Sequence, residues 1–474
     1  MAGSKNLVYV DIMAMHPEVT GSCMLCIVKS KNKEEEAKFI VDCGLFQEQE
    51  YNELNKELPF NAEEIDFAIL THNHVDHTGR IPYLVKKGFS NHFLTTSITE
   101  RLVELALKDS CKVLRDVAKR NNVSPLYTEE DVENALSLVY GFEFETEIQV
   151  KPNIKVTFFK NGHLLGAAIV LVQISSEYSD ENINLLFTGD YKGSNVFFDV
   201  PELPEKIKEL PLTIIQESTY GDEDSNNVEK CFEKNIYEAT KLQKDIVIPV
   251  FSLGRSQEIA YVIRKMQDEE LIPEDYPIYI DGPLTLKYTD IYMEENIGIK
   301  EEMQDFIPYK CTALDRVNRP NILGKEGPKI VLTSSGMGSY GPAQMHIPVV
   351  LSRDNGLIHF TGYVAEGTLG RRLKDAVTGE TVAVGGVLIK KRGEVKYTTE
   401  FSSHAKADEM IEFLKKFTNI KLILVNHGEF KAKETFASRI LDEVQTKNVG
   451  ILGCEYFFRV NAYGLIKTMS TKFY

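Results

Sequence analysis

No run of apolar residues in this chain reaches the ~18 that a membrane-spanning helix needs. The opening stretch, MAGSKNLVYVDIM, carries one Lys and too short an apolar run for a secretory signal. Cysteine is sparse and odd in number, seven in 474 residues, which excludes a disulfide framework. Positive charge is in deficit, since 54 Lys and Arg stand against 70 Asp and Glu for a formal charge of −16. A chain this acidic does not hold nucleic acid by bulk charge, so any basic tract that does so is local. Repeats of solenoid period and low-complexity tracts are absent as well. What is left, 43% hydrophobic and 26% charged residues, reads as globular. At about 150 residues per domain the length corresponds to roughly two to four domains. A cytoplasmic protein with no membrane attachment is the expectation.

Short β-rich runs come first, at residues 7–12, 23–30, 38–43 and 65–70. Ser97-Ile98-Thr99-Glu100 has the pattern of a capping box and predicts a long helix opening there and running toward Arg120. Strands return at 154–160, 167–174, 184–188 and 212–216. After about residue 220 the texture changes. Continuous apolar runs at 245–251, 277–280, 329–333 and 356–360 alternate with helical stretches, as in a parallel sheet covered on both faces. Each ends in a loop containing glycine: SLGRS, DGP, SSGMGSYGP and TGYVAEGTLGR. Ligands of open α/β sheets bind outside such carboxyl ends. From about residue 378 strand-like runs resume at 387–391 and 395–399, followed by a helix over 405–417 and a strand over 421–425.

Chemistry concentrates in Thr71-His72-Asn73-His74-Val75-Asp76-His77. Three of the chain's ten His and one Asp fall within six positions just after a strand. In a loop, this spacing places His72 and His74 on one metal ion and Asp76 and His77 on a second, and imidazole with carboxylate suits Zn²⁺ and similar ions. Two further segments share the pattern of a strand ending in a potential ligand beside glycine: Asn161-Gly162-His163-Leu164-Leu165-Gly166 and Thr188-Gly189-Asp190. Each alone is a common turn; alongside HxHxDH they carry weight.

HxHxDH, GHxLG and TGD in this order resemble the metallo-β-lactamase superfamily. Gln216-Glu217-Ser218-Thr219-Tyr220-Gly221 narrows the likeness to the β-CASP nucleases, whose motif A acid lies in ESTYG. The match continues through Pro249-Val250-Phe251-Ser252-Leu253-Gly254-Arg255, Ser334-Ser335-Gly336-Met337, Gly367-Thr368-Leu369-Gly370-Arg371, Phe401-Ser402-Ser403-His404 and Val425-Asn426-His427-Gly428. It implies an α/β fold, an αββα metallo-β-lactamase sandwich with an inserted parallel-sheet α/β β-CASP domain. The insertion takes residues 219–377, and the flanking parts, 1–218 and 378–474, form the sandwich. The chain is most similar to the short bacterial relatives of the cleavage and polyadenylation specificity factor endonuclease, with neither the extra C-terminal domain of an RNase J nor the KH domains of many archaeal members.

Position by position, the resemblance implies that His72, His74 and His163 hold one Zn²⁺, that Asp76, His77 and His427 hold a second, and that Asp190 bridges them. Mn²⁺ is the other candidate ion. Asp42 matches the family's first motif and would orient ligands from behind. Glu217 and His404 match motifs A and B and would form a hydrogen-bonded pair, so that Asp42, Asp76, Glu217 and His404 are the catalytic candidates. The implied activity is hydrolysis of RNA by two ions about 3.5–4 Å apart that ionise a bridging water. His404 would protonate the leaving 3′-oxygen to give 5′-phosphate and 3′-hydroxyl ends. His427 belongs to the RNA-processing branches and is usually missing from Artemis-like DNA nucleases. Single-stranded RNA is the implied partner and a homodimer the implied state. A small-molecule metallo-hydrolase, a DNA nuclease and a non-catalytic RNA-binding paralogue are the rival readings.

Glycine admits close approach of backbone N–H groups to phosphate, and Ser and Arg add donors. Ser252, Arg255, Ser335, Gly336 and Arg371 are therefore the candidate RNA contacts, with turn geometry or a surface ion pair as the competing role of each. His346 is placed equally between an RNA contact and the core. His16, His92 and His359 have no ligand partner at motif spacing and are taken as structural. Cys23 and Cys26 lie in one strand and should point to opposite faces as free thiols. After His404 the family usually has Ala then Asp; here Ala405-Lys406-Ala407-Asp408 moves that Asp by two positions.

Overall fold

The structure is a computed structural model that describes residues 8–30, 35–176, 179–228, 230–362, 364, 367–446 and 448–470. Leu7, Tyr363, Ala365 and Glu366 of the segments singled out above lie outside the described residues. The chain divides into two units, Met1–Asn195 with Val200–Asn226 and Ser403–Tyr474, and Val196–Asp199 with Asn227–Ser402.

Alternation of period two builds the first unit. In the paired strands Tyr9–Ala14 and Met24–Lys29, Val10, Ile12, Cys26 and Val28 enter a core between two sheets, while Met13, Leu25 and Ile27 face the other way. Cys23 and Cys26 accordingly sit in different cores, both free and buried. One sheet has eight strands in the order Gly464–Ser470, Tyr456–Asn461, Tyr9–Ala14, Met24–Lys29, Glu35–Val41, Phe67–Ile69, His92–Thr96 and Val139–Phe142. The other has seven, in the order Val449–Ile451, Ile420–Asn426, Leu212–Glu217, Ser179–Phe187, Ala168–Ser176, Ile154–Lys160 and Ile148–Lys151. Phe39, Phe158, Phe187 and Leu424 are among the side chains packed between them. Helix Ser97–Asn121 backs the first sheet through Val103, Leu107 and Cys111. Helices Ala407–Leu414 and Phe430–Glu443 back the second through Met410, Leu414, Phe436 and Ile440. The result is the layered αββα sandwich.

The long helix is capped one residue earlier than its sequence pattern predicts. Thr96 is the extended residue, and its hydroxyl accepts the Thr99 N–H at 3.1 Å while donating to the Gly166 carbonyl at 2.7 Å. Ser97 is already helical, and its hydroxyl turns to Glu143.

The second unit holds a six-stranded sheet in the order Cys311–Leu314, Ile278–Asp281, Lys329–Thr333, Asp245–Pro249, Gly356–Phe360 and Glu394–Tyr397, parallel throughout. Of the two edge strands, 311–314 escapes the sequence reading, whereas 394–397 overlaps the run expected at 395–399. The second corrects the domain boundary. Residues 378–402 were assigned to the sandwich, but Glu394–Tyr397 pairs with Gly356–Phe360, and Val382 and Val384 of the hairpin before it pack on Leu373 in the second unit's core. The sandwich resumes at Ser403. Residues 196–199 also change sides, because Phe197 packs edge-on against Tyr261, Tyr292 and Phe306. Thr219–Asn226 conversely stay with the first unit, where Asp224 pairs with Arg439 and Ser225 bonds Asp408. Among the described residues no helix is long and apolar enough to cross a membrane.

Asp281 closes one end of the parallel sheet. Fully buried, it accepts two hydrogen bonds from Arg319, Nε at 2.6 Å and Nη2 at 2.7 Å, and lies 2.6 Å from His346 Nε2. This assigns His346 to the core. Burial pushes the Asp281 carboxyl up, but His346 and Arg319 hold it below its ordinary value. Arg319→Met would leave that carboxylate with His346 alone, and breaking a buried pair in this way costs about 3–5 kcal/mol. Urea unfolding of the variant should show that loss; an unchanged midpoint would mean that Asp281 is not held as a charge.

Candidate metal centre

Asp42 stands just past the end of strand Glu35–Val41, with a left-handed backbone at φ 62°. Such a conformation costs a non-glycine residue roughly 1–3 kcal/mol and persists where the surroundings over-determine it. Here its carboxylate accepts the Thr71 N–H at 2.8 Å, the Thr71 hydroxyl at 2.9 Å and His77 Nδ1–H at 2.8 Å. Because the Thr71 hydroxyl donates to Asp42, it receives Nδ1–H of His72, 3.0 Å away. One carboxylate thereby makes Nδ1 the donating nitrogen of two imidazoles and turns Nε2 of each toward the cluster. Gly44 is required beside it, since a Cβ there would lie 1.5 Å from the Asp76 carbonyl oxygen. Cys43 and His77 are joined by an N–H···O bond of 2.8 Å in the same contact.

The second sheet brings the remaining donors. Asn161 follows strand Ile154–Lys160 and ties two motifs together. Its amide donates to the carbonyls of Thr188 at 2.9 Å and Asp190 at 2.6 Å, and its oxygen accepts N–H of His163 at 3.0 Å and Lys192 at 3.1 Å. His163 gives Nδ1–H to the Ser403 carbonyl at 2.9 Å, and its Nε2 faces His74 Nδ1 at 3.0 Å. His427, left-handed at φ 48°, follows strand Ile420–Asn426. Its Nδ1 lies 3.1 Å from the Thr219 hydroxyl, and its Nε2 lies 3.1 Å from His77 Nε2.

Asp190 sits between these groups. One carboxylate oxygen is 3.5 Å from His72 Nε2, 3.6 Å from His163 Nε2 and 3.8 Å from His404 Nε2. The other is 3.2 Å from His77 Nε2 and 3.3 Å from His427 Nδ1. The donor atoms of His72, His74, His163 and Asp190 lie within 4.8 Å of one another, and so do those of Asp76, His77 and His427. All seven residues singled out from the sequence come together, and Asp190, Glu217 and His427 form a third such group.

The electrostatics fit a cation. Burial holds His72, His163 and His427 well below the ordinary imidazole value, so they are neutral donors at neutral pH. Burial also lowers His77, but Asp190 and Asp42 outweigh it and raise this group. Burial pushes the Asp76 carboxyl up to about 6. Asp190 is raised by burial and lowered more by the surrounding imidazoles, so it is ionised. Among the described residues, His72 Nε2 and one oxygen of Asp190 are buried without a hydrogen-bond partner. Buried acceptors left this way are costly, and lone pairs converging on one point repel unless a positive charge lies among them. The residues present therefore fit a metal ion.

Glu217 and His404 adjoin this cluster. Both Glu217 oxygens lie 3.1 Å from His404 Nδ1, and they also accept the N–H groups of Tyr191 and Thr219. Burial lowers the His404 pKa, but Glu217 and Asp190 overcome it and lift the group to about 9. The displaced Asp408 does not disturb this seat. It binds Ser225 N–H at 2.9 Å, while Glu409 takes over the cap by accepting the Lys406 N–H at 2.8 Å.

Thr71, Asn161 and Thr219 are functional positions that sequence reasoning missed, although each stands inside a motif it quoted. His16 is buried beside His427, ring centroids 6.4 Å apart, and burial pulls it down to about 3. His359 is a core residue bonded to Asn235, and His92 packs on Tyr140.

In the second unit, Ser252 follows strand Asp245–Pro249, and Ser335 and Gly336 follow its neighbour Lys329–Thr333. The three thus share one carboxyl edge. Gly336 lies against Phe251, where a Cβ would meet the ring at 2.9 Å. Arg371 is at the surface, paired with Asp375 at 2.8 Å. Arg255 departs from expectation. It is buried, and its guanidinium is engaged by the carbonyls of Thr361 and Phe401 and by Glu258. These bonds brace the fold and use three of its five N–H groups.

Replacing the orienting carboxylate should be felt at the ion and not in the fold. Asp42→Asn is expected to weaken zinc binding about 10–100-fold, read by chelator competition, with the far-ultraviolet dichroism unchanged. Unaltered zinc affinity would refute the role given to Asp42.

Three family descriptions match in turn along the chain. Residues 27–109 match the metallo-beta-lactamase superfamily, 256–373 the Beta-Casp domain, and 388–451 the Zn-dependent metallo-hydrolase RNA specificity domain. The transcription termination factor FttA of Methanococcus maripaludis is 30% identical over 419 residues, covering 83% of this chain and 64% of the factor. A ribonuclease of Thermus thermophilus is 29% identical over 430 residues, 87% of this chain and 91% of the enzyme. An RNase J-like protein of Methanocaldococcus jannaschii is 28% identical over 427 residues, 88% of this chain and 92% of that protein. With the αββα sandwich, the parallel-sheet insertion and the His/Asp cluster in place, these matches establish that the chain belongs to the β-CASP ribonuclease family of the metallo-β-lactamase superfamily.

Proposed function

We propose that the protein is a dinuclear zinc ribonuclease that hydrolyses single-stranded RNA to 5′-phosphate and 3′-hydroxyl ends. The observation that carries this reading is Asp190, shared at 3.2–3.8 Å by imidazoles of two adjoining donor sets and by His404. His72, His74 and His163 would hold one ion, Asp76, His77 and His427 the other, with Asp190 between them. Ions held by these residues would supply positive charge against the phosphate and a water made nucleophilic near neutral pH. His404 supplies the proton. Glu217 engages its Nδ1 at 3.1 Å, which turns Nε2–H toward the centre. Glu217 beside Nδ1 raises this group and so favours the protonated form, which can give its proton to the departing 3′-oxygen.

RNA is favoured as the substrate by the match of residues 388–451, which include His404 and His427, to an RNA specificity domain. Relatives named as ribonucleases point the same way. Ser252, Ser335, Gly336 and Arg371 are the proposed contacts to the RNA backbone; Arg255 is withdrawn from that set. Zinc in preference to manganese, a homodimeric state and a cytoplasmic location belong to the same reading.

The test is cleavage of a 5′-labelled single-stranded RNA and its DNA equivalent by zinc-loaded protein. Cleavage confined to RNA, with 5′-phosphate ends, is expected. His74→Ala should lose both an ion and the activity. His404→Ala should retain its zinc while its rate falls about 10²–10⁴-fold. Ends bearing 2′,3′-cyclic phosphate would sink the hydrolytic route. Equal cleavage of DNA would shift the reading to a DNA nuclease, and failure on both polymers with two ions bound would shift it to a small-molecule hydrolase.

A further inference from the structure

Two residues beyond His404 stands a lysine that water hardly reaches. Lys406 is 2% exposed, its ammonium lies 3.3 Å from the centroid of the Tyr220 ring, and its Nζ is 2.6 Å from a carboxylate oxygen of Glu223. Tyr220 follows Glu217 by three positions. Its ring meets the His404 imidazole edge-on, centroids 6.1 Å apart and planes at 72°. On another side the His163 ring stands 4.7 Å from the same imidazole.

An ion pair alone does not account for this burial. The Glu223 side chain is half exposed, so an ammonium seeking only that partner could meet it in water, where such a pair is worth little. Beneath the ring the ammonium is desolvated, the condition under which attraction to an aromatic face is strongest. Nor does the local backbone depend on the ammonium. The Lys406 N–H is capped by Glu409, Ala407 N–H bonds the Glu223 carbonyl at 2.8 Å, and Asp408 binds Ser225. The charge therefore does something that the helix start does not need.

We propose that Lys406 is a positioning residue for His404. By gripping the face of Tyr220 it holds the ring edge against the imidazole and so sets the direction of Nε2. The inference rests on the ribonuclease reading, in which Nε2 delivers a proton. Lys406 itself touches neither the donor set nor the reacting atoms.

Zinc-loaded full-length protein should be assayed on 5′-labelled single-stranded RNA, with each change made in the parent and in the His404→Ala background. Lys406→Met keeps the stem and the capping N–H and is expected to lower kcat about tenfold with KM within about twofold, as a misdirected catalytic group does. Lys406→Arg, which preserves a cation over the ring, should restore most of the rate. Tyr220→Leu should reproduce the loss while leaving the pair with Glu223. In the His404→Ala background neither Lys406→Met nor Tyr220→Leu should reduce the rate further. Independently of activity, the ε-methylene resonance of Lys406 in ¹³C-lysine-labelled protein should be shifted upfield by the ring and should lose that shift in Tyr220→Leu. A Lys406→Met rate within twofold of the parent, a loss that multiplies with His404→Ala, or an unshifted ε-methylene overturns the inference alone. A parent that cleaves no RNA overturns the reading beneath it as well.

Discussion

The carboxylate of Asp42 is the constraint on which the centre depends. It carries no donor to the cluster, yet it decides which nitrogen two of the donors present. His77 is oriented directly and His72 through the Thr71 hydroxyl. Imidazole exposes a usable lone pair on only one nitrogen at a time, so a ring in the other tautomer would aim a proton at the ion's position. The geometry around Asp42 is correspondingly rigid. Its left-handed backbone, the closeness of Gly44 to the Asp76 carbonyl and the N–H···O bond between Cys43 and His77 leave this corner one arrangement.

The other sheet solves the same problem with other groups. His163 is fixed by a main-chain carbonyl and His427 by a threonine hydroxyl. Asn161 locks the two loops that bring His163 and Asp190 together. Each loop follows the end of a strand in one of two sheets that share a hydrophobic core. Side chains of that core, such as Phe39, Phe158 and Phe187, therefore set the spacing of donors that they never touch.

What the sequence shows of this is uneven, for physical reasons. The seven candidate donors are legible because coordination demands particular residue types at short spacing, and such a pattern rarely arises from packing alone. The layered fold followed from the motifs, and the parallel sheet of the second unit from its continuous apolar runs. Thr71, Asn161 and Thr219 have no such signature, since a hydroxyl or amide that orients a ligand looks like any loop residue until the loops meet. Arg255 misled for a related reason. An arginine after glycine at a strand's carboxyl edge reads as an anion ligand, and only the folded chain shows the carbonyls of Thr361 and Phe401 already engaging it. The misplaced boundary near residue 378 arose because the short strand Glu394–Tyr397 alternates like any other, and its partner is not written in its own sequence.

The chain crosses from the first unit to the second and back, and this gives the two donor sets different histories during synthesis. His72, His74, His163 and Asp190 all precede the second unit, whereas His427 follows it, 350 residues beyond the His77 that it faces. A nascent chain therefore has one set of candidate ligands in hand before the second unit is translated. The other set cannot close until that whole unit has left the ribosome and strand Ile420–Asn426 has paired with Leu212–Glu217. Even the early set is finished late, because the carbonyl that fixes His163 belongs to Ser403. The connectivity thus imposes an order of assembly, with any ion captured early held in an incomplete site until the last strand is in place.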